Sequence, residues 1–138
     1  MKTTAIFLFS AMLFAQCTNA ITPPEVVSKS FAKKFPTATN VSWGKENAKE
    51  FEAEFKLNGS PVSANFLADG TWIETETGMA IADLPAKVAA AVKAKFPEWT
   101  ITEADHLDTP KGNNFEVDLK MGLQKKEAQF TPDGTFVE

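Results

Sequence analysis

Two stretches of the chain carry an apolar residue at every fourth position, which is the pattern of a helix with one buried face. Thr22 and Asp83, whose side chains suit a helix start, precede them, and a proline follows each within the first turn. Pro36 and Pro97 then end the predicted helices, because proline cannot continue the hydrogen-bond ladder. The apolar positions are Val27, Phe31 and Phe35 in the first helix, and Val88, Val92 and Phe96 in the second.

Strict alternation of apolar and charged residues follows each predicted helix. A strand of this kind has one buried face and one wet face. Turn sequences that contain glycine, together with weaker strand patterns, complete four strands after each helix, so we predict an α-β-β-β-β unit in each half. The alternating strands are residues 50–57 and 115–121, the turns are at 58–59, 68–70, 122–123 and 132–134, and the weaker strands are at 40–45 and 100–107.

The two halves of the chain align with each other. The offset is a constant 61 through the helices, and after a three-residue insertion within 109–114 it is a constant 64. Between residues 51–74 and 115–138, nine of the 24 aligned positions are identical, well above the level that composition alone gives. We predict an α+β fold in which two tandem copies, residues 21–78 and 79–138, form one curved antiparallel sheet with the helices on one face.

Four short motifs recur at equivalent places in the two copies: Lys34-Phe35-Pro36, Lys95-Phe96-Pro97, Asp69-Gly70-Thr71 and Asp133-Gly134-Thr135. In these motifs the chain resembles the PepSY-like family of beta-lactamase-inhibitor-like exported proteins, over nearly all of its length after residue 20. The resemblance implies tandem copies, helices on one side of a curved antiparallel sheet, an open other side, and an inhibitory or protein-binding role. Because the motifs mark helix ends and turns, they specify a fold more closely than an activity.

The first 20 residues have the pattern of a secretory signal peptide. Lys2 is followed by an apolar run at 5–15 and then by small and polar residues up to Ala20. The run is shorter than the roughly 20 apolar residues that a membrane-spanning helix needs. We therefore predict cleavage after Ala20 and a periplasmic or secreted protein. The alternative is a lipoprotein anchored through Cys17, the only cysteine, although Gln16 before it fits that signal poorly.

Composition argues against one class of partner. The chain has 14 basic and 18 acidic residues and a formal net charge of -4, and every basic residue is lysine. Nucleic-acid surfaces favour arginine and a basic balance, so nucleic acid is not an expected partner. No segment after residue 20 is apolar enough to span a membrane.

Candidate chemistry is sparse. His106 is the only histidine, and Asp105 and Asp108 beside it alternate sides along an extended segment, which makes a poor zinc site. No serine has a nucleophile-elbow context, and glycine-rich phosphate loops are absent. The glutamates at 50–54 are expected to be solvated and of ordinary acidity. We predict no catalytic residue, no metal ligand and no cofactor, although an acidic face offers the oxygen ligands that calcium prefers.

Strand parity predicts a binding face on the side of the sheet away from the helices. Adjacent residues of a strand point to opposite faces, so the carboxylates of the alternating strands fall on this side. Trp72 shares parity with Glu74 and Glu76, and Phe136 with Glu138, which places both rings there as interface anchors. The alternative is a twist or bulge that tucks Trp72 into the core. The predicted partner-binding residues are Trp72, Glu74, Phe136, Glu52, Glu54, Glu116 and Asp118.

Two hypotheses of function follow from this reading. The first is an exported non-catalytic binding module, inhibitory in the manner of the family, that holds an envelope or extracellular protein or peptide on the open sheet face. The second is an envelope structural or sensing domain that responds to a small ligand or a divalent cation. A shift of the unfolding midpoint with calcium would favour the second, because a ligand that binds only the folded form stabilises it.

N-terminal sequencing of the exported protein tests the predicted signal peptide. We expect the mature chain to begin at Ile21, because the small residues before it suit signal peptidase. Retention of Met1 would contradict the prediction. A diacylated Cys17 found by mass spectrometry would support the lipoprotein alternative instead.

Overall fold

The computed structural model describes residues 20–137, which form one open antiparallel sheet of seven strands and two helices. The strands lie in the sheet in their sequence order, and every neighbouring pair is antiparallel. The predicted α+β class is confirmed, while the predicted signal peptide, apart from Ala20, lies outside the described residues. The helices are α1 (Glu25–Lys34) and α2 (Ala86–Lys95), and the strands are β1 (Thr39–Lys45), β2 (Glu50–Leu57), β3 (Ser60–Leu67), β4 (Trp72–Gly78), β5 (Thr100–Thr109), β6 (Gly112–Met121) and β7 (Gln124–Phe130).

The prediction of an eighth strand after the last Asp-Gly turn is wrong. The segment that follows Gly134 meets β7 at a single bridge between Phe130 and Phe136, and the Val137 N–H donates to the Gln129 carbonyl at 2.8 Å. The corresponding segment of the first half, β4, pairs with β3 on one side and with β5 on the other. Within the described residues, the last segment therefore contacts β7 without forming a strand ladder.

Proline, rather than Thr22 or Asp83, occupies the position before each helix. Pro24 and Pro85 both have a φ of -53°, and neither helix has a side-chain cap hydrogen bond. The fixed φ of proline suits a helix start, and its missing N–H would have no partner in the first turn anyway. Both helices end directly before the Phe-Pro pairs, as predicted.

Each helix packs its apolar face on the sheet and forms a core with it. Beneath α1 the contacts are mostly aromatic: the ring of Phe31 lies 5.0 Å from that of Phe55 and 5.3 Å from that of Trp43, edge to face in both cases. Such pairs contribute about 0.5–1.5 kcal/mol each beyond the burial of their area. The first core consists of Val27, Phe31, Phe35, Phe51, Ala53, Phe55, Val62, Ala64 and Phe66, and the second of Leu84, Val88, Val92, Ala104, Val117, Leu119, Ala128 and Phe130.

The two Asp-Gly-Thr turns pack directly against the helices. Gly70 and Gly134 have φ values of 86° and 88°, a region that glycine adopts without strain. A Cβ atom at Gly134 would lie 2.7 Å from the Lys87 carbonyl oxygen, and one at Gly70 would lie 2.6 Å from Ser30 Oγ. Glycine is therefore needed both for the backbone conformation and for the close approach of the turn to its helix.

Phe35 and Phe96 are not equally buried, contrary to the expectation from the aligned halves. Phe35 is 8% exposed, and its ring lies 4.7 Å from that of Phe55. Phe96 is half-buried at the margin of the second core, where its ring contacts that of Phe136. The residue aligned with Phe55 is Leu119, whose side chain has no ring to cover Phe96. Among the described residues, no full fourth strand follows β7 to cover this margin of the second core.

Truncation of these two residues should therefore have unequal costs. We expect Phe35→Ala to lower the free energy of unfolding by about 3–5 kcal/mol, the usual cost of removing a buried ring. Phe96→Ala should cost less, because part of that ring is already in contact with water. Urea unfolding of the two variants measures the difference, and equal losses would show that the two rings are covered alike.

Candidate functional site

The sheet face opposite the helices is acidic. Along β2, Phe51, Ala53 and Phe55 belong to the first core, whereas Glu52 and Glu54 point to the other side. The ladder registers carry this alternation across the sheet, so acidic residues of β4, β5, β6 and β7 share the same side, which we call the open face. Its acidic residues are Glu50, Glu52, Glu54, Glu74, Glu76, Glu103, Asp105, Glu116, Asp118 and Glu127.

Carboxylates stand directly opposite each other in the last three strands. Glu103 on β5 faces Asp118 on β6, and Asp118 faces Glu127 on β7. In the next row Asp105 faces Glu116. Like charges in directly opposed positions destabilise a sheet, so this arrangement costs the protein folding free energy.

The open face is concave. Ser63 and Leu107 are 0% exposed and Asn65 is 1% exposed, and Glu74 and Glu116 are buried too, although neither helix packs on this side. Side chains on an uncovered flat sheet stand apart and stay in contact with water. Because neither helix of residues 20–137 covers this side, we attribute the burial to a curl of the sheet that brings the side chains of this face together.

Charges on distant strands act on each other across the curled face. Burial is the main cause that raises the pKa of both Glu52 and Glu127, and the carboxylate of Glu46, in the connection between β1 and β2, adds to both. Strands β2 and β7 would lie roughly 24 Å apart on a flat sheet, too far for one carboxylate to reach both. We call the concave centre the acidic trough, which consists of Glu52, Glu74, Glu76, Asp105, Glu116, Asp118 and Glu127.

Burial raises the pKa of five of the seven trough carboxyl groups well above their ordinary values. The pKa of Glu76 is raised to about 9, that of Glu127 to about 8, those of Glu52 and Glu116 to about 7, and that of Asp105 to about 6. Removal of water from the charged form is the largest cause in each case, and repulsion by neighbouring carboxylates adds to it. The expectation of ordinary acidity for Glu52 is therefore wrong, because the groups that desolvate it come from other strands.

Two side-chain amides donate hydrogen bonds to carboxylates of the trough. Gln129 Nε2 donates to Glu116 Oε2 at 2.9 Å, and Asn65 Nδ2 donates to Glu74 Oε1 at 3.3 Å. Three buried oxygen atoms of the open face accept no hydrogen bond from residues 20–137, which is uncommon for buried polar groups. They are Asn65 Oδ1, Glu50 Oε2 and Glu127 Oε2.

Three carboxylates of the trough lie close enough together to share one cation. One carboxylate oxygen from each of Glu116, Asp118 and Glu127 lies within 4.8 Å of the other two. Such oxygen atoms are suitable ligands for calcium or magnesium. Strand parity predicted Glu116 and Asp118 as partner-binding residues but not Glu127, because the start of β7 is rich in lysine and glutamine and lacks strict alternation. Only the ladder register places Glu127 beside Asp118.

Trp72 lies on the helix side, so its assignment to the open face is wrong. A register shift between Asn65 and Phe66 brings Trp72 opposite Phe66, which is fully buried in the first core. The extra residue of such a bulge changes the face to which the following residues point. Trp72 is half-buried, and Lys34 Nζ lies 3.3 Å from the centroid of its ring. Its contacts thus fasten β4 to the end of α1.

Phe136 also faces the helices, so the second aromatic anchor was misplaced too. Its ring lies 5.5 Å from that of Phe130 in the second core, and Lys95 Nζ lies 4.0 Å from its centroid. Phe136 forms its only bridge with Phe130, and directly paired residues share a face. The carboxylates predicted for the open face are together there, without the two rings: they are Glu52, Glu54, Glu74, Glu116 and Asp118.

His106 is separated from the acidic residue beside it. Asp105 belongs to the acidic trough, whereas the His106 ring packs on the other face, 5.5 Å from the ring of Phe115. Asp108 shares the parity of His106 along β5. The three side chains therefore do not converge on one point, in agreement with the alternation seen in the sequence.

Residues 49–138 match the family described as "Putative beta-lactamase-inhibitor-like, PepSY-like". The match includes more than half of the chain, and the chain belongs to this family. The resemblance drawn from the helix-end and turn motifs is thereby confirmed at the level of the family. A comparison with curated proteins gives no match.

Solved structures from Bacteroides share the fold. A protein of Bacteroides eggerthii DSM 20697 described as "putative periplasmic" has a TM-score of 0.71 at 22% identity, over 86% of this chain and 88% of that one. A DUF2874 family protein of Bacteroides ovatus ATCC 8483 has a TM-score of 0.70 at 24% identity, over 86% of each chain. A BLIP-like protein of Bacteroides fragilis NCTC 9343 has a TM-score of 0.68 at 23% identity, over 88% of this chain and 87% of that one. Neither helix of residues 20–137 has the length and apolar character needed to cross a membrane.

The stability of the protein should fall as the pH rises from about 5 to about 9. The carboxyl groups of Glu116, Glu127 and Glu76 have pKa values raised from 4.5 to about 7, 8 and 9 in the fold. Between these values the folded chain binds more protons than the unfolded chain, so the stabilisation is complete below the unfolded pKa and is lost through the folded pKa values. We expect the thermal midpoint at pH 5 to exceed that at pH 9 by at least roughly 4 °C.

Circular dichroism during heating measures the thermal midpoint at each pH. Two variants test whether the trough carboxyl groups cause its pH dependence. Glu76→Gln combined with Glu127→Gln should flatten the pH dependence, because the amides do not titrate. Glu25→Gln, a change at an exposed residue of α1 outside the trough, should leave the pH dependence as it is. A midpoint that increases from pH 5 to pH 9 would contradict the raised pKa values.

Proposed function

We propose that the chain is an exported, non-catalytic binding module that holds an envelope or extracellular protein or peptide in the acidic trough, in the manner of an inhibitor. One observation carries the proposal: a concave face on which polar side chains are buried although neither helix covers them. Burial of polar groups costs free energy unless hydrogen bonds compensate it. A partner seated in the trough would supply those hydrogen bonds and complete the cover.

The partner-binding residues in this proposal are those that share the concave face. Trp72 and Phe136 no longer belong to the group, since both rings pack on the helix side. Glu76, Asp105 and Glu127 join it, because they lie in the trough beside residues already named. The resulting set is Glu52, Glu54, Glu74, Glu76, Asp105, Glu116, Asp118 and Glu127.

The comparisons support a binding role rather than a catalytic one. The family is described as beta-lactamase-inhibitor-like, and the Bacteroides fragilis protein of the same fold is described as BLIP-like. Inhibitors of this type act by occupying another protein, which requires a shaped surface and no reactive group. The trough of this chain has such a shape.

We also propose that residues 21–78 and 79–138 are two copies of one unit. Equivalent contacts in the two halves support this: Lys34 lies over Trp72 at 3.3 Å, and Lys95 lies over Phe136 at 4.0 Å. The Gly70 N–H donates to the Leu67 carbonyl and the Gly134 N–H to that of Thr131, both at 2.9 Å. With two copies side by side, one continuous sheet spans both, and the trough forms where their open faces meet.

The proposed place of action is the periplasm or the exterior of the cell. The signal-peptide pattern of residues 1–20 supports export, and one relative of the same fold is described as "putative periplasmic". Anchoring through a lipid on Cys17 is the alternative form of the same location, since it would keep the folded domain on the outer side of a membrane.

The second candidate function is a sensing domain that responds to a divalent cation. The specific observation in its favour is the group of oxygen atoms of Glu116, Asp118 and Glu127 within 4.8 Å of one another. A cation bound there would stabilise the fold by neutralising three repelling carboxylates. Thermal unfolding with calcium chloride and with a chelator tests it, since a bound cation must raise the midpoint.

Site-specific photo-cross-linking tests the proposed binding face. We expect a benzoylphenylalanine in place of Glu54, at the rim of the trough, to form adducts with a protein or peptide in the cell envelope. The matched control carries the same group in place of Lys93, an exposed residue of α2 on the helix side. Mass spectrometry of the adducts identifies the partner and the contacting segment.

Adducts formed from position 93 and not from position 54 would contradict the proposal, because they would place the partner on the helices. Both variants should keep the unfolding midpoint of the original protein, since neither replaced side chain belongs to the two cores. That measurement shows that any loss of adducts comes from the face probed rather than from unfolding.

A further inference from the structure

We propose that the partner enters the acidic trough with a protruding segment whose lysine or arginine side chains pair with the carboxylates there. This inference rests on the proposed function and names the chemistry of the partner. Charge complementarity is its first basis, since seven carboxylates line the trough. The lysines on the same face, Lys56, Lys120 and Lys125, lie at one end of it, beyond Glu54, Asp118 and Glu127 along their strands.

The register of the last three strands shows that the trough is built at a cost to folding. Asp118 stands between Glu103 and Glu127, and Asp105 stands opposite Glu116, each pair directly across a ladder. Like charges in these positions repel each other. A positive group placed between them would turn this repulsion into attraction, so the folded protein without a partner is already arranged for a cationic ligand.

The unsatisfied oxygen atoms give a second, independent reason. Asn65 is 1% exposed, and its Oδ1 has no hydrogen-bond partner among the described residues. In the ladders Asn65 stands between Glu52 and Glu74, so its side chain belongs to the trough. The other two unsatisfied oxygen atoms, on Glu50 and Glu127, share this face. All three atoms are acceptors, and ammonium and guanidinium groups provide only donors.

A segment with several basic side chains fits the spread of acidic side chains and unsatisfied oxygen atoms over the trough better than a single ion does. Only three of the seven trough acids, Glu116, Asp118 and Glu127, offer oxygen atoms within 4.8 Å of one another. Calcium holds its ligands at about 2.3–2.6 Å, so an ion at that point would leave Asn65 Oδ1 unsatisfied and would not neutralise the carboxylates of β2 and β4. Long lysine or arginine side chains on one segment reach several such points at once.

Isothermal titration with decalysine tests the inference directly. The protein is titrated at low ionic strength and about pH 9, where the carboxyl groups of Glu52, Glu116 and Glu127 are mostly ionised and lysine side chains keep their charge. We expect saturable binding that weakens as sodium chloride is added, because salt screens charge pairs. Glu116→Gln combined with Glu127→Gln should weaken binding at least about tenfold, as expected when partners of desolvated charge pairs are removed.

Matched variants and probes exclude a general effect of charge. Glu25→Gln combined with Glu98→Gln removes the same charge from exposed sites outside the trough and should leave the affinity within about twofold. Asp105→Asn provides a second trough variant if the first one fails to fold, which circular dichroism reveals. Decaglutamate should not bind at all.

Equal binding of decalysine by the trough variants and the exposed-site variants would overturn the inference. Binding of calcium chloride by a protein that ignores decalysine would also overturn it, in favour of a metal centre. An adduct from position 54 whose contacting segment lacks lysine and arginine would overturn this inference and leave the proposed function standing. Adducts from position 93 alone would remove the proposed function itself, whatever the result with decalysine.

Discussion

The contact between each helix and one face of the sheet determines the character of both faces. The ring of Phe31 lies 5.0 Å from that of Phe55 and 5.3 Å from that of Trp43 beneath α1, and mostly aliphatic residues, together with Phe130, fill the equivalent space beneath α2. Burial of this apolar area supplies the main driving force for folding. Because adjacent residues of a strand point to opposite sides, packing the apolar positions under the helices directs the alternate, charged positions to the other side. The acidic face is thus the necessary counterpart of the cores.

Curvature turns that acidic face into a trough with its own chemistry. On a flat sheet the carboxylates would remain hydrated, and each would keep its ordinary pKa. In the curled sheet Glu76 and Glu127 lose water and gain acidic neighbours, which raises their pKa values to about 9 and 8. Proteins tolerate arrangements of this kind where function benefits from them, at the expense of stability. In the proposed function, this surface is kept for a partner.

The position of Trp72 shows how one extra residue in a strand can reverse the face predicted from alternation. Parity with Glu74 and Glu76 predicted an exposed ring, with a bulge as the alternative. The register shift between Asn65 and Phe66 realises that alternative and places the indole against Lys34 and the first core. The bulge lets the aromatic ring pack against the first core while Glu74, on the other face, keeps its hydrogen bond from Asn65. The sequence shows an aromatic and an acidic residue at these positions, but the face that each occupies depends on the neighbouring strand and helix.

Local patterns along the chain were sufficient to predict the helices and strands and which face of each is apolar. Apolar spacing of four, Phe-Pro helix ends, Asp-Gly turns and strict alternation act over a few residues, so they can be recognised without knowledge of the fold. They predicted both helices, seven of the strands, and the carboxylates of β2 and β6 on the open side. Four features follow from the folded structure alone: the bulge at Trp72, the unequal burial of Phe35 and Phe96, the place of Glu127 beside Asp118, and the raised pKa values. Each of these depends on groups distant in sequence that the curled sheet brings together, and no local pattern encodes that curvature.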